Sequence, residues 1–312
     1  MARDLAKTYK GGVRALDGLS LTVAQGTVFG LLGPNGAGKS TTVKILTTLS
    51  RPDGGEAFVA GEDVLRHPDR VRRAIGCVSQ KSGADLEATG VENLVLQGQL
   101  YGLSTPETKR RAGELLDRFG LAGDAMRQAK TYSGGMLRKL DVAMGLIHRP
   151  RVLFLDEPTT GLDPEARADM WNEIASLTRD HGLTILLTTH YLEEADRLAQ
   201  WLAIVDHGRI VVEGTPEQLK GELHGDTIVV DLSDPPSSAS VHGVLSRIEG
   251  VRDVAVDGRS LRARADSGAR AIPAVLAALE AAGLQVSAAT IARPSLDDVY
   301  LRYAGRSFQE AA

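Results

Sequence analysis

The sequence predicts an α/β fold with a largely parallel sheet, followed by a smaller α+β domain. Up to about Leu219, short apolar segments alternate with helical segments and glycine-rich turns, which is the order of elements in a parallel sheet. After Gly225 strands and helices no longer alternate one by one. Four strand patterns and two helical patterns follow, and two of the strands are adjacent without a helix between them. We therefore expect two domains, at residues 1–221 and 226–312.

Five apolar segments are the candidate strands of the first domain. They are Thr27–Leu32, Ile75–Ser79, Val152–Asp156, Thr184–Thr188 and Leu202–Asp206. Between the second and the third, the pattern becomes helical and polar, with Val91–Leu100 and Pro106–Phe119 as the main helices. We interpret residues 84–150, approximately, as a helical subdomain inserted into the first domain.

The second domain has the element order β-α-β-β-α-β, which is typical of a ferredoxin-like fold. Its expected strands are Thr227–Leu232, Val251–Val256, Ser260–Ala265 and Gln285–Ile291, and its expected helices are Ser240–Ile248 and Ala269–Ala281. A terminal helix is expected over Ser295–Gly305, since a serine that can cap it comes first and a glycine closes it.

Composition and charge argue against several classes of protein. Of the 312 residues, 43% are hydrophobic and 24% charged, which is enough for a folded core. The net charge of −4 argues against binding to nucleic acid through an overall positive field. Cys77, the only cysteine, lies in an apolar strand and is expected to be buried and inert. No apolar run reaches the roughly 18–20 residues that span a bilayer, so a membrane role would need a spanning partner.

The strongest motif is "GPNGAGKST", from Gly33 to Thr41, between an apolar strand and a helical segment. It matches the pattern G-x-x-x-x-G-K-[ST], in which glycines allow backbone N–H groups to surround phosphate oxygens. Lys39 is placed to contact the β- and γ-phosphates of a nucleotide, and the Ser40 hydroxyl can ligate Mg²⁺. The sequence thus predicts a phosphate-binding loop here.

Two carboxylates, Asp156 and Glu157, end the buried strand of "VLFLDEPTTGLDP". Ligands of open α/β sheets bind at such carboxyl ends. Asp156 can hold Mg²⁺ through water, and Glu157 can orient or deprotonate an attacking water. Gln80 and His190 also follow strands. Considered alone, Gln80 would be interpreted as an ordinary loop residue, and His190 could be either a structural or a functional residue. Near a phosphate loop, Gln80 can reach the metal or the attacking water, and His190 can reach the γ-phosphate and the water.

A second candidate anion site lies about a hundred residues beyond the phosphate loop. The segment "TYSGGMLRKLDVAMGL" places Ser133, Gly134 and Gly135 before a helix, and helix N-termini attract anions. Because the chain already has a better phosphate loop, this segment raises the question of whose phosphate it contacts.

Together with the phosphate loop, the ordered motifs "VSQ", "YSGGM", "LFLDEP", "GLD" and "TTH" resemble the nucleotide-binding cassette of ABC transporters, over roughly residues 5–221. The resemblance implies a P-loop NTPase fold, ATP and Mg²⁺ as ligands, and ATP hydrolysis. It implies that Glu157, His190 and Gln80 are catalytic, and that Ser40, Gln80 and Asp156 hold the metal. The other implied residues are those that bind ATP (Tyr9, Gly33, Pro34, Asn35, Gly36, Ala37, Gly38, Lys39, Ser40 and Thr41), the signature (Ser133, Gly134, Gly135 and Met136) and the D-loop (Gly161, Leu162 and Asp163).

In this family two cassettes enclose ATP head to tail, so the resemblance implies that the signature of one chain faces the γ-phosphate held by the other. It also implies a homodimer beneath an integral-membrane permease, peripheral to the cytoplasmic side of the cell membrane, without nucleic acid as a partner. Two features depart from the family pattern. Met136 stands where glutamine is commoner, which removes a polar contact. Few residues precede Leu5, so either the first strand is shortened or the start codon is assigned too far downstream, and an edge strand near the adenine pocket is expected to be lost.

Five segments are similar to drug-exporter ATPases of the daunorubicin-resistance type. They are "QKSGADLEATGVENL", "TYSGGMLRKLD", "TTHYLEEADRLA", "DHGRI" and the terminal "PSLDDVYLRYAG". This resemblance includes the second domain and implies efflux of a hydrophobic drug or antibiotic through a separate permease. Other functions stay open at this point: export of a lipid or an ion, a soluble cassette that acts on ribosomes or DNA, and a slow cassette that only regulates.

Overall fold

The computed structural model describes residues 1–223, 225–235, 238–305 and 308. The chain forms two compact units, residues 1–210 and 211–312. The domain limits expected from the sequence, 1–221 and 226–312, remain a prediction about which segments fold independently. In the part of the chain that the structure describes, no helix combines the length and the apolar character that a transmembrane span requires.

A six-stranded sheet forms the centre of the first unit, and its last strand continues past residue 210. Its strands are β3 (Val28–Leu32), β6 (Ile75–Val78), β7 (Val152–Asp156), β8 (Thr184–Thr189), β9 (Trp201–Asp206) and β10 (Arg209–Gly214). They lie in the order β10-β9-β3-β8-β7-β6, with parallel pairing from β9 through β3, β8 and β7 to β6. Burial on both faces explains the continuous apolar runs, since Leu153 and Leu155 of β7 join one hydrophobic cluster and Phe154 the other. The five strands expected from the sequence are therefore all present.

A second, antiparallel sheet precedes and flanks the phosphate loop, and the sequence pattern did not predict it. It consists of β1 (Ala2–Thr8), β2 (Arg14–Leu21), β4 (Gly54–Val59) and β5 (Glu62–Asp63), in the order β2-β1-β4-β5. Because β1 pairs with β2 on one side and β4 on the other, the expected loss of an edge strand here is wrong.

The helices of the first unit cover both faces of the parallel sheet. They are α1 (Lys39–Leu46), α2 (Pro68–Ala74), α3 (Gly90–Leu100), α4 (Thr105–Arg118), α5 (Gly134–Leu146), α6 (Pro164–His181) and α7 (Leu192–Leu198). The two helices expected in the subdomain correspond to α3 and α4. A reciprocal capping box between Thr89 and Glu92 starts α3, and buried Leu94, Leu116 and Leu140 join α3, α4 and α5 in one core.

The second unit contains the ferredoxin-like domain expected from the sequence. After α8 (Pro216–Gly221) come β11 (Asp226–Leu232), α9 (Ser238–Leu245), β12 (Val251–Asp257), β13 (Ser260–Ala265), α10 (Gly268–Ala281), β14 (Val286–Ala292) and α11 (Leu296–Ala304). The sheet order is β12-β13-β11-β14 with antiparallel neighbours, as that fold requires. Ser295 caps α11 in a capping box with Asp298, and Gly305 closes it with a φ of 73°.

The exposure of Cys77 corrects one expectation. It was expected to be buried because it lies in an apolar strand, but its strand β6 is at the edge of the parallel sheet and the residue is exposed.

Candidate functional site: a nucleotide site at the carboxyl ends of the parallel strands

The phosphate loop connects β3 to α1 and surrounds a small cavity. Gly38 is the N-cap of α1 with a φ of 109°, and a Cβ atom there would lie 2.5 Å from the carbonyl oxygen of Ala15. Only glycine fits this position, because both the backbone angle and the space exclude a side chain. The cavity has a volume of about 230 Å³ and is lined by Val13, Ala15, Asn35, Gly36, Ala37, Gly38, Lys39, Ser40, Thr41 and Glu157.

The Lys39 amine lies inside the loop. Its Nζ donates hydrogen bonds to the carbonyl oxygens of Gly33 at 2.6 Å and Pro34 at 3.0 Å, and it lies 3.7 Å from Oε1 of Glu157. Burial lowers the pKa of Lys39, and the nearby negative charges of Glu157 and Asp156 oppose this shift. The loop therefore holds one buried cation next to the backbone N–H groups that start α1.

Oxygen atoms suited to a hard cation meet beside this lysine. Oδ1 of Asp156 accepts hydrogen bonds from Oγ of Ser40 at 3.1 Å and from Oγ1 of Thr188 at 2.5 Å. Among the described residues, no group of three or more histidines, cysteines, aspartates and glutamates could hold a metal on its own. This donor set fits Mg²⁺, which is commonly bound by one or two protein oxygens together with substrate phosphates.

Glu157 is the point where the predicted catalytic side chains meet. Its Oε2 accepts hydrogen bonds from Nε2 of Gln80 at 3.1 Å and from Oγ1 of Thr160 at 3.3 Å. Its Oε1 lies 3.2 Å from Nδ1 of His190. The residue is buried, and its backbone has a left-handed φ of 50°, with its N–H donated to the carbonyl and hydroxyl oxygens of Thr188. A strained backbone at a buried carboxylate is typical of functional sites.

Tyr9, expected beside the adenine, lies at the rim of the loop. Its hydroxyl is 3.5 Å from Oγ1 of Thr41, and the residue is 40% exposed. Val13, which is 63% exposed, lines the cavity with Ala15. Neither residue was recognised from the sequence, because Val13 lies in the connection between β1 and β2 and Ala15 lies in β2, a strand of the antiparallel sheet that was not predicted.

The signature and the D-loop lie against each other. A Cβ atom on Gly134 would be 3.8 Å from the Leu162 side chain, and one on Gly135 would be 3.0 Å from Cβ of Ala166. Ser133 caps α5 and Asp163 caps α6, each through a hydrogen bond from a backbone N–H three residues later. Of the described residues that line the phosphate-loop cavity, none belongs to the signature. The phosphate loop and the signature are thus two separate features of one chain.

Glu194, a buried carboxylate, was not recognised from the sequence. Glu194 in α7 accepts hydrogen bonds from Oγ1 of Thr159 at 2.8 Å and from Nε1 of Trp171 at 3.0 Å. Burial raises the pKa of Glu194. Its position in "TTHYLEEA", four residues after His190, is the only signal that could have indicated it.

Replacing Glu194 by glutamine is expected to make the thermal stability less dependent on pH. Because the folded pKa is raised, stability from this group is complete below its ordinary value of about 4.5 and is lost as the pH rises through the folded pKa. The melting temperature of Glu194→Gln, minus that of the unchanged chain, should therefore increase as the pH is raised above about 4.5. Thermal unfolding followed by circular dichroism measures this difference. The exposed neighbour Glu193→Gln is the control, and equal pH profiles for both variants would contradict the expectation.

Comparison with known proteins identifies the family. The family model described as "ABC transporter" matches residues 16–160, and the one described as "ATP-binding protein DrrA1-3-like, C-terminal domain" matches residues 214–304. The chain is therefore matched in both of its structural units.

Two relatives align over nearly their whole length. The chain is 47% identical to the daunorubicin/doxorubicin resistance ATP-binding protein DrrA of Streptomyces peucetius, over 99% of this chain and 94% of the relative. It is 43% identical to the doxorubicin resistance ATP-binding protein DrrA of Mycobacterium tuberculosis, over 95% of this chain and 90% of the relative.

Solved structures show the same cassette fold. A dimeric structure of a bacterial ABC transporter cassette covers 69% of this chain and 97% of its own length, with a TM-score of 0.63 and 26% identity. These matches indicate nucleotide binding and ATP hydrolysis, and they confirm the resemblance stated from the motifs. This chain belongs to the ATP-binding subunits of ABC transporters, in the group that contains the DrrA proteins.

Proposed function

We propose that this chain hydrolyses ATP to drive efflux of a hydrophobic drug or antibiotic through a separate permease. The observation that supports ATP hydrolysis most strongly is the contact of Gln80 with Glu157, and of Glu157 with His190, beside a phosphate loop. The nature of the cargo is supported by the relatives, two of which carry daunorubicin or doxorubicin resistance in their names.

Each side chain near the phosphate loop has a separate role in ATP hydrolysis. Glu157 accepts a proton from a water that attacks the γ-phosphorus, while the bond to the oxygen that bridges the β- and γ-phosphorus breaks and ADP leaves. Gln80 and His190 orient the carboxylate and the water from either side. Lys39 places its charge against the negative phosphate oxygens. Tyr9 would contact the adenine ring at the rim of the loop.

A magnesium ion would be held by Ser40, Asp156 and Gln80. When bound, it neutralises charge on the β- and γ-phosphates of the nucleotide. The protein contributes the hydroxyl and carboxylate oxygens that already lie within 3.1 Å of each other.

The second anion site, Ser133 to Met136, serves the nucleotide of a partner chain in this proposal. Ser133 and Gly134 are exposed at the N-terminus of α5, and the phosphate-loop cavity is lined by other residues. A two-fold symmetric homodimer would place each signature over the other chain's phosphate loop, with the D-loop Gly161, Leu162 and Asp163 beside the contact. Cassettes of this family do form dimers. Met136 does not alter this role, because the backbone N–H groups of the helix start make the anion contact.

The permease would hold the dimer at the cytoplasmic side of the cell membrane. ATP-binding subunits of ABC transporters work with membrane permeases, and the helices described here do not themselves cross a bilayer. Neither the net charge of −4 nor the relatives favour the alternative of a cassette that acts on nucleic acid.

Efflux is tested by co-expressing the chain with a candidate membrane permease in a daunorubicin-sensitive host. Cells with the unchanged chain should accumulate several-fold less of this fluorescent drug, and the chain should sediment with the membranes. Glu157→Gln should still sediment with the membranes but should accumulate as much drug as cells without the pair. Equal accumulation with both forms would contradict drug efflux, and a chain that stays in the soluble fraction would contradict the permease partnership.

A further inference from the structure

Arg138 is a buried guanidinium that contacts the backbone of the catalytic segment. It lies one turn into α5, immediately after the signature, and is 7% exposed. Its Nε donates to the carbonyl oxygen of Pro158 at 2.7 Å, and its Nη2 donates to those of Asp156 at 3.1 Å and Glu157 at 3.3 Å. Three consecutive carbonyl groups around Glu157 therefore turn toward one side chain.

The same guanidinium also reaches the segment that carries Gln80. Its Nη1 donates to the carbonyl oxygen of Ser79 at 2.6 Å. One turn later in α5, Asp141 accepts hydrogen bonds from Oγ of Ser82 at 2.9 Å and from the N–H of Gly83 at 3.0 Å. Both sides of Gln80 are therefore fixed by residues of α5.

The free-energy cost of burying the Arg138 charge indicates that its hydrogen bonds to the backbone have a role besides packing. The nearest carboxylate in an ion pair with Arg138 is Asp141, at 3.9 Å, which is too long for a strong hydrogen bond. A buried charge is expensive to desolvate, and its contacts here are chiefly the four backbone carbonyl oxygens to which it donates. What the carbonyl contacts provide is a fixed orientation of the peptide units on either side of Glu157.

The backbone of Glu157 needs such a fixation. A left-handed φ of 50° in a residue other than glycine costs about 1 kcal/mol or more unless the surroundings stabilise it. Thr188 holds the N–H side of this residue, through its carbonyl and hydroxyl oxygens, and Arg138 holds the carbonyl side. With both sides held, the carboxylate is directed toward Gln80, His190 and the phosphate loop.

We propose that Arg138 is a positioning residue for Glu157, and that it couples the orientation of this general base to the signature helix α5. The inference rests on the proposed catalytic role of Glu157. In a homodimer the signature completes the partner's site, whereas Glu157 acts in the chain's own site. Arg138 would thus connect the two nucleotide sites through a single side chain.

The test compares Arg138→Met, which keeps the length and removes all donors, with Arg138→Lys and Arg111→Met. Arg138→Met should lower kcat for ATP hydrolysis at least about 10-fold and change KM for ATP by less than about 3-fold, because the phosphate loop stays intact. Arg138→Lys keeps the charge on a single donor atom and should restore part of kcat. If the methionine variant does not fold, the lysine variant is compared with the unchanged chain instead. Arg111 is the matched control, since it donates to the carbonyl oxygen of Ile147 at the far end of α5. Arg111→Met should keep kcat within about 2-fold of the unchanged chain.

A double variant separates positioning from general stability. If Arg138 acts through Glu157, adding Arg138→Met to Glu157→Gln should lower the residual turnover by less than about 2-fold, because there is no base left to position. A further loss as large as in the unchanged background would overturn the proposal, and so would normal kcat in Arg138→Met. If the unchanged chain did not hydrolyse ATP at all, the proposed function would fail together with this inference.

Discussion

Replacement of Glu157 by glutamine is expected to lower kcat for ATP hydrolysis by about 100- to 10,000-fold, the range that a general base contributes. Glutamine keeps the size of the side chain and an oxygen for the Gln80 amide, but it cannot accept a proton from the water. ATP binding should remain, so that dimers with trapped ATP accumulate. A radioactive phosphate-release assay measures the turnover, and gel filtration in the presence of ATP and Mg²⁺ measures the dimer.

The control for this experiment is Glu173→Gln, the same exchange in α6, where the carboxylate lies 4.0 Å from Arg118 and away from the cavity. It should hydrolyse ATP at the normal rate and remain monomeric or dimeric in the same proportion as the unchanged chain. Normal turnover in Glu157→Gln would remove the proposed catalytic base. Lost turnover without any ATP-dependent dimer would instead contradict the shared, head-to-tail sites.

Replacement of Lys39 by alanine should impair binding itself. The amine is the only charged donor among the side chains that line the described cavity, and a hydrogen bond to a charged group contributes about 1.5–3 kcal/mol. Converted at 1.4 kcal/mol per tenfold, this weakens ATP binding by roughly 10- to 150-fold, and turnover at limiting ATP should fall at least as far. Titration with a fluorescent ATP analogue measures the dissociation constant.

Lys44 offers a matched control, because it lies in the same helix α1 but is exposed and points away from the loop contacts made by Lys39. Lys44→Ala should bind ATP as tightly as the unchanged chain. If both alanine variants lost the same amount of affinity, the effect would come from the net charge or from helix stability. If neither lost any, the loop would not be the phosphate site.

The parallel sheet could be predicted because its strands are buried on both faces. Val152–Asp156 was predicted with its exact bounds, since four apolar residues form an uninterrupted run before two acids. The antiparallel sheet could not be predicted in the same way. Its strand β1 mixes charged residues with buried Ala2 and Leu5, and register shifts interrupt the alternation on which the prediction depends.

Edge position is another property that the pattern does not contain. Cys77 lies among apolar residues in the sequence, and Ile75 and Val78 of the same strand are buried, yet Cys77 itself is exposed. Only the order of the strands shows that β6 lies at the edge of the sheet, without a neighbouring strand on one side.

The sequence by itself determined the motifs from which the chemistry was predicted, because a lysine in a glycine loop and two acids after a strand are chemical types at fixed spacing. Only the tertiary structure decided that Gln80 and His190 meet at Glu157, since the contact with Gln80 joins residues 77 positions apart. Arg138 was not recognised from the sequence for a related reason. Its partners are backbone carbonyl groups, which every residue possesses, so that only the folded chain shows which of them converge on it.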